Sequence, residues 1–429
     1  MSDKRKDMTE ERERTILAGL SADIMDFNEK STEDSLDELE ALVETAGGEC
    51  VGRVLQTRPA PDPHSFIGAG KVKELKELID ANDCTLAVFD NELSPSQNRA
   101  LEDELGVRVI DRSTLILDIF AQRAKTREGR LQVELAQYQY LLPRLTGMWT
   151  HLVRQTSSAS PIGTRGPGET QLETDRRHIR RKIDKLSAEL EEVRKNRSVQ
   201  RRQRQKNGVP VAALVGYTNA GKSTLLNCLT DAGIQAADRL FDTLDTTTRK
   251  LPLLSGKQIL ISDTVGFINK LPHHLVEAFK ATLEELTFAD ILLHVIDVSN
   301  PMWRQQAEVV DRLIGQLGAA QTPCIRVYNK CDLVPLEFIP HEELSVRISA
   351  RTGEGTADLL ELIEKTLDTG KKRVTLHLPY DKGEMLELIH RFCEVHSVDY
   401  EAEFSVMDIT VPSKNYAALK PYIFEQGKT

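Results

Sequence analysis

The sequence predicts an α/β protein of several domains, and three observations carry that reading. A glycine-rich loop, Gly216 to Ser223, lies between an apolar run and a helical pattern. Short β-rich runs alternate with helix-period segments from Leu36 to Leu117. Between these regions the apolar spacing changes to a heptad-like 4-3-4-3. A chain of 429 residues exceeds one ordinary core and suits two to four domains of roughly 100 to 200 residues each. With 40% hydrophobic and 28% charged residues it can bury several cores, which excludes wholesale disorder.

Residues 1–35 are acidic and poor in large apolar side chains, so a flexible tail is expected there. The opening MSDKRKDMTEERERT lacks the apolar centre of a secretion signal. The longest apolar stretch, Ile291 to Val298, is broken by His294 and Asp297, far short of the roughly 20 residues that span a bilayer. No membrane insertion and a cytoplasmic location are expected. The six cysteines (Cys50, Cys84, Cys228, Cys324, Cys331, Cys393) form no CxxC pair and have no histidine at zinc-ligand spacing, which points to reduced thiols.

From residue 36 to 117, helix-like stretches (Leu36-Leu39-Leu42-Val43 and Val72-Leu75-Leu78-Ile79) alternate with β-rich runs (Gly52 to Leu55, Thr85 to Phe89, Val107 to Ile110). That alternation predicts a small α/β domain with a largely parallel sheet. Within it, Phe66-Ile67-Gly68-Ala69-Gly70-Lys71 resembles a phosphate loop but lacks the full glycine spacing. A structural turn capping the next helix is the expectation, and a second nucleotide site the alternative.

Residues 118–207 form the next domain. Leu131, Leu135, Tyr138, Leu142 and Leu145, then Ile179, Ile183, Leu186, Leu190 and Val193, repeat at heptad spacing and predict an antiparallel helical hairpin. Its second helix, His178 to Lys206, would be about 43 Å long at 1.5 Å per residue. Gln155 to Leu172 is rich in Ser, Thr, Gly and Pro and reads as a flexible loop at the tip of this arm. The net charge of −10 is unevenly spread: Met1 to Cys50 has 6 basic against 15 acidic residues, whereas Ala121 to Lys206 has 20 against 9. A block of +11 in an acidic chain suits a phosphate-rich partner, with a solvated coiled coil as the bland alternative.

Residues 208–370 carry the chemistry. Gly216-Tyr217-Thr218-Asn219-Ala220-Gly221-Lys222-Ser223 is GxxxxGK[ST] in a strand-loop-helix setting. Its glycines let backbone N–H groups turn toward phosphate oxygens at a helix N-terminus that favours anions. Lys222 is expected to bridge the β- and γ-phosphates and the Ser223 hydroxyl to ligate Mg²⁺. Asp263-Thr264-Val265-Gly266 is a DxxG whose Asp263 reaches Mg²⁺ through water and whose Gly266 N–H senses the γ-phosphate. Asn329-Lys330-Cys331-Asp332 is an NKxD. The two acceptors of Asp332 match the N1–H and N2–H₂ donors of guanine, a pair adenine lacks. Ser349-Ala350-Arg351 follows a last strand and offers the Ala350 N–H to guanine O6. In this order, each after a strand, the elements favour GTP over ATP. Phe241-Asp242-Thr243-Leu244-Asp245-Thr246-Thr247-Thr248-Arg249 supplies four threonines for the remaining switch, and the residues alone do not choose among them.

After Gly370, Arg373 to Tyr380 and Ala402 to Pro412 alternate as strands around a helical stretch from Gly383 to Val395, which predicts a small α+β domain over residues 371–429. The fold class expected is thus α/β: a P-loop GTPase domain preceded by a small α/β domain and an antiparallel helical hairpin, followed by a small α+β C-terminal domain.

These residues resemble the HflX family of translation-associated GTPases. The resemblance rests on Phe66 to Lys71, Val109-Ile110-Asp111-Arg112, the run Gly166 to Arg177, Val215 to Leu225 and Phe241 to Arg249. The family pattern FxTLDPTTR selects Thr243 as the Mg²⁺-ligating threonine and leaves Thr246 where proline is usual, which removes a φ restraint. Lys222, Thr243 and Gly266 are then the catalytic candidates, and Ser223 and Thr243 the metal ligands. The resemblance implies GTP-dependent binding to the large ribosomal subunit, with the arm reaching ribosomal RNA near the peptidyl-transferase centre. It also implies splitting of stalled ribosomes, particularly after heat stress. Phe267 occupies the place of the water-positioning glutamine of Ras-like enzymes, so slow intrinsic hydrolysis stimulated by the ribosome is expected. A monomer is expected. The competing readings are an RNA-binding adaptor or assembly factor that uses GTP only as a stability ligand, and a remodelling protein with an ATP site at Gly68-Ala69-Gly70-Lys71.

Overall fold

The computed structural model describes residues 12–26, 29–156, 167–206, 209–230, 240–241, 247–271, 286–369, 371–412, 416 and 418–424. It divides into two compact units, one of residues 1–191, 237–245 and 268–280, the other of residues 192–236, 246–267 and 281–429.

The first unit is built on a parallel sheet of β1 (Arg14–Ala22), β2 (Glu49–Arg58), β3 (Leu86–Phe89) and β4 (Arg108–Asp111), in the order β2-β1-β3-β4. The expected tail is thereby corrected. Thr15 to Leu20 is an unbroken buried run, and β1 lies between two partners instead of trailing in solvent. Helices α1 (Glu33–Ala46), α2 (Ala69–Ala81), α3 (Pro95–Leu105) and α4 (Arg112–Arg123) connect and follow the strands. Their starts are chemically marked. Thr32 and Ser94 close capping boxes on α1 and α3, and the Asp111 carboxylate caps α4. The Gly68 N–H is bonded to Gln56 and Gly68 caps α2, so the turn reading of that loop agrees with the geometry. Ile16, Leu20, Phe66, Leu75, Phe89 and Leu101 form the centre of the apolar core. The boundary placed at residue 117 falls inside α4, whose buried Ile119 and Phe120 keep it with this sheet.

α5 (Arg127–Thr156) and α6 (Pro167–Lys206) make the hairpin, with Leu135 packed on Leu186 and Leu190, flanked by Leu131, Tyr138 and Ile183. Lys182 Nζ donates to Tyr138 Oη at 2.6 Å across the same seam. The second helix starts at Pro167, eleven residues before His178, because proline fits a first helical turn whose N–H groups have no intrahelical acceptor. Of the expected tip loop, residues 157–166 lie outside the described residues, and 167–172 are helical.

In the second unit, β5 (Val211–Gly216), β6 (Thr247–Pro252), β7 (Gln258–Asp263), β8 (Ile291–Asp297), β9 (Cys324–Asn329) and β10 (Ser345–Arg347) form a sheet ordered β10-β9-β8-β5-β7-β6, parallel except for the β6–β7 pair. α7 (Lys222–Thr230), α8 (Trp303–Gln316) and α9 (Thr356–Thr369) are its described helices. β11 (Lys371–Pro379), α10 (Gly383–Phe392), β12 (Glu394–Tyr400) and β13 (Phe404–Pro412) form the C-terminal α+β fold, an antiparallel sheet ordered β11-β13-β12. The helix expected to run to Val395 ends at Phe392, and an unforeseen strand follows, in which a bulge between Val395 and Ser397 brings the partly buried Val395 and Val398 onto the apolar core.

Candidate functional site

β5 lies between β7 and β8 in the middle of the six-stranded sheet, and its apolar residues Ala212 to Val215 are buried. A central parallel strand delivers its C-terminal end to the crevice where α/β sheets bind ligands. The loop after β5 runs into α7, so its N–H groups and the helix N-terminus face the same place. Two glycines are obligatory there. Gly216 has φ +155 and a Cβ on it would stand 2.3 Å from the Val295 carbonyl oxygen. Gly221 has φ +92 and its Cβ would stand 2.3 Å from Asn329 Nδ2. Between them, Asn219 has a φ of 61, and Ala220 is buried.

Lys222 is buried and its Nζ donates to the carbonyl oxygens of Gly216 at 3.1 Å and Tyr217 at 2.8 Å. Burial pushes its ammonium down to about 8, against the opposing pull of the Asp263 carboxylate. The Ser223 hydroxyl donates to Asp263 Oδ2 at 2.8 Å, so the hydroxyl and carboxylate of the expected metal site converge. The Thr264 hydroxyl donates to the Leu214 carbonyl at 2.6 Å and anchors the DxxG turn under β5. Val265 is buried. A Cβ on Gly266 would lie 3.1 Å from Lys222 Nζ and 2.8 Å from Thr218 Cγ2, so this glycine keeps open the space in front of the lysine. Among the described residues, the buried Thr218 Oγ1 has no hydrogen-bond partner beside that space.

Phe267 ties the two loops together through its backbone. Its N–H donates to Gly216 O at 3.1 Å and its carbonyl accepts from Thr218 N at 2.7 Å. Its side chain is 1% exposed, so the residue in the glutamine position is core and orients no water.

The base-reading loops meet through Asn329. Its Nδ2 donates to Ala220 O at 2.8 Å, and its Oδ1 accepts from Ala350 N at 2.9 Å. The Ala350 N–H expected to serve guanine O6 is thus the group that bonds Asn329 in this structure. Ser349 is buried beneath this turn, Arg351 and Asp332 are exposed, and the Cys331 thiol donates to Tyr328 O at 3.0 Å. Lys330, with φ 62, pairs with Asp297 Oδ2 at 2.6 Å. Asp297 was not anticipated; its signal is a carboxylate closing the buried run Ile291 to Ile296. Phe241 belongs to the first unit, where it is buried edge-to-face on Phe120 at 4.7 Å. Asp242, Thr243, Leu244 and Asp245 lie outside the described residues.

The donor set suits a hard cation held by hydroxyl, carboxylate and water oxygens. No group of three His, Cys, Asp or Glu side chains able to hold a metal alone occurs among the described residues. No helix among them is long and apolar enough to cross a membrane.

Family models match three successive stretches, described as GTP-binding GTPase N-terminal over residues 33–121, GTP-binding GTPase middle region over 123–204, and 50S ribosome-binding GTPase over 211–330. Curated relatives extend along most of the chain. The GTPase HflX of Lacrimispora saccharolytica is 48% identical over 416 residues, covering 96% of this chain and 97% of that protein. The GTPase HflX of Escherichia coli is 44% identical over 382 residues, covering 87% and 88%. Among solved structures, a GTP-binding protein from Sulfolobus solfataricus in complex with GDP aligns over 82% of this chain and 98% of that chain, at 23% identity and a TM-score of 0.44.

Proposed function

The chain belongs to the HflX family of GTPases, and from that premise we propose that it binds Mg²⁺·GTP at this site and uses the GTP state to dock on the large ribosomal subunit and split stalled ribosomes. It is a GTP hydrolase, and the reading assigns roles to its loops. Backbone N–H groups of residues 216–223 cradle the phosphates, and Lys222, swinging from the Gly216 and Tyr217 carbonyls, neutralises the β- and γ-oxygens. Ser223 and Thr243 would hold Mg²⁺, and Asp263, already bonded to the Ser223 hydroxyl, would reach it through water. The ion would supply neutralisation of phosphate charge. Gly266 offers its N–H to the γ-phosphate in the space its missing Cβ leaves beside Lys222. Asp332 reads the guanine edge while Asn329 holds the phosphate loop against the Ser349-Ala350-Arg351 turn.

The convergence of Ser223 Oγ, Asp263 and buried Lys222 at the end of β5 carries the nucleotide part of the reading. The ribosomal part is supported by the 20 basic against 9 acidic residues of 121–206 and by the 50S ribosome-binding description of the matched family. Buried Phe267 supports slow intrinsic hydrolysis that the large subunit accelerates by ordering the switches. The protein then acts as a cytoplasmic monomer, and heat, which stalls ribosomes, is the condition under which its loss is felt.

Ribosomes sedimented with the protein and GDP, GTP or a non-hydrolysable analogue test this reading. Protein on the large subunit with both GTP forms, and loss of intact ribosomes, is expected. The basic block suits equally an RNA-binding adaptor or assembly factor. Binding without subunit separation selects that reading, and absence of binding in every nucleotide state removes both.

A further inference from the structure

The first unit takes in Asn269 and Lys270 as well as the N-terminal sheet, and the side chains that hold this pair are charged and buried. Asp90, fully buried after β3, accepts from Ser31 Oγ at 2.7 Å, Ser35 Oγ at 2.8 Å and Arg112 Nη1 at 2.8 Å, and is paired with Lys270 Nζ. Burial alone would raise its carboxyl, but Arg112 and Lys270 hold it below the ordinary carboxylate range. Arg112, 2% exposed, also pairs with Glu38 and donates through Nη2 to the Asn269 carbonyl at 3.2 Å. Asn269 and Lys270 follow Gly266 by three and four residues.

The residue before Arg112 holds the hairpin. Asp111 caps α4 and accepts from the Tyr140 hydroxyl and from Arg144 Nη2 at 3.2 Å, both on α5. Burial and the facing Asp111 push the Tyr140 hydroxyl up, so it stays a donor. The Arg144 guanidinium lies 3.3 Å from the Tyr140 ring centre and completes the clasp.

Adjacent residues at one helix cap thus fasten two distant segments. A desolvated charge cluster holds or breaks; it does not stretch, because separating its members strands unpaired charges. We propose that Asp90, Arg112 and Lys270 are positioning residues for GTP hydrolysis, setting the chain that follows Gly266, and that Asp111 passes the same displacement to α5. This rests on the GTP-switch reading above, and adds that the N-terminal domain is the mechanical link between nucleotide and hairpin. Lys270 touches neither nucleotide nor metal in this scheme and acts through the DxxG turn.

The test uses the full chain without ribosomes, reading single-turnover GTP hydrolysis, GDP affinity, melting temperature and amide hydrogen exchange of residues 127–145 with GDP or a non-hydrolysable GTP analogue. The wild type is expected to show exchange in α5 that depends on the nucleotide. Lys270→Ala should slow hydrolysis about tenfold or more, as expected when a catalytic loop is misplaced. It should leave GDP affinity intact and erase the exchange difference, and Lys270→Arg should restore both. Tyr140→Phe should erase the difference in α5 and leave hydrolysis at the wild-type rate. A Lys270→Ala protein that keeps its rate, or loses GDP affinity in parallel, overturns the positioning role. Failure of Lys270→Arg to recover does the same. A wild type with nucleotide-independent exchange in α5 overturns the link to the hairpin. A wild type that hydrolyses no GTP removes the switch reading itself, a different result from these.

Discussion

Two helices in this chain begin at a glycine-lysine pair, Gly70-Lys71 in the first turn of α2 and Gly221-Lys222 at the start of α7, and they differ in what their glycines are for. At Gly216 and Gly221 positive φ angles bring backbone so close to Val295 O and Asn329 Nδ2 that a methyl group would overlap them. At Gly70 a Cβ meets nothing within 4 Å, and Gly68 simply caps α2. The lysines divide in the same way. Lys222 is buried on two carbonyl oxygens, whereas Lys71 pairs with Glu74 one turn along its own helix at 2.9 Å. A glycine-lysine signature therefore marks a phosphate site only where the surrounding fold forbids any other residue and keeps the cation out of water.

Substitutions can break that contrast. Gly216→Val has the largest expected effect: the overlap with Val295 O costs about 1–3 kcal/mol in stability, and guanine-nucleotide affinity falls beyond measurement in a fluorescence titration. Binding as tight as wild type would remove the cradle.

Lys222→Met is expected to slow hydrolysis by roughly 10²–10³ while raising the melting temperature of the nucleotide-free protein, because an expensive buried ammonium is gone. The sign with pH follows from its lowered pKa of about 8. Below that value folded and unfolded chains both hold the proton, and burial of the charge costs stability. From about 8 up to the ordinary lysine value near 10.4 the folded chain sheds the proton first, so stability from this group increases with pH. Phosphate prefers the charged form, so GDP affinity should fall above about pH 8. A flat affinity between pH 7 and 9.5 would contradict the buried cation.

Asp332→Asn replaces one guanine-matched acceptor with a donor. The preference for GTP over ATP is expected to shrink by about 10² or more, measured as a ratio of affinities; an unchanged ratio would move base reading elsewhere. Smallest of all, Gly70→Ala and Lys71→Ala should change stability by no more than about 0.5–1 kcal/mol and leave nucleotide binding alone. Loss of any nucleotide-dependent activity in either variant would restore the second-site reading.

The legible part of this molecule was the part specified by short local motifs. The phosphate loop, DxxG and NKxD each name their residues within eight positions, and the hairpin seam repeats along one helix face, so both could be read without coordinates. What escaped was nonlocal or averaged away. Asp90 meets Arg112 from 22 residues away and Lys270 from 180, and no periodicity connects them. The apolar run Thr15 to Leu20 was submerged in the acidic average of residues 1–35. Pro167 reads as a helix breaker when it follows serines and glycines, yet it opens α6, because proline's missing N–H costs nothing in a first turn. The bridging role of Asn329 was equally hidden, because its Ala220 and Ala350 partners lie 109 and 21 residues away.

The placement of β1 bears on how the chain is made. This strand is synthesised before both of its parallel neighbours, Glu49–Arg58 and Leu86–Phe89, so it must wait for 67 further residues, Asp23 to Phe89, before both of its edges are satisfied. Parallel pairing across helical crossovers is slow to nucleate, and through that interval an apolar run with unpaired edges is open to wrong partners. The charges that flank it in sequence, Arg12, Glu13 and Arg14 before and Asp23 after, suit gatekeepers during the wait. Charges of both signs at the two ends of the run thus shield a nascent strand until the sheet it belongs to exists.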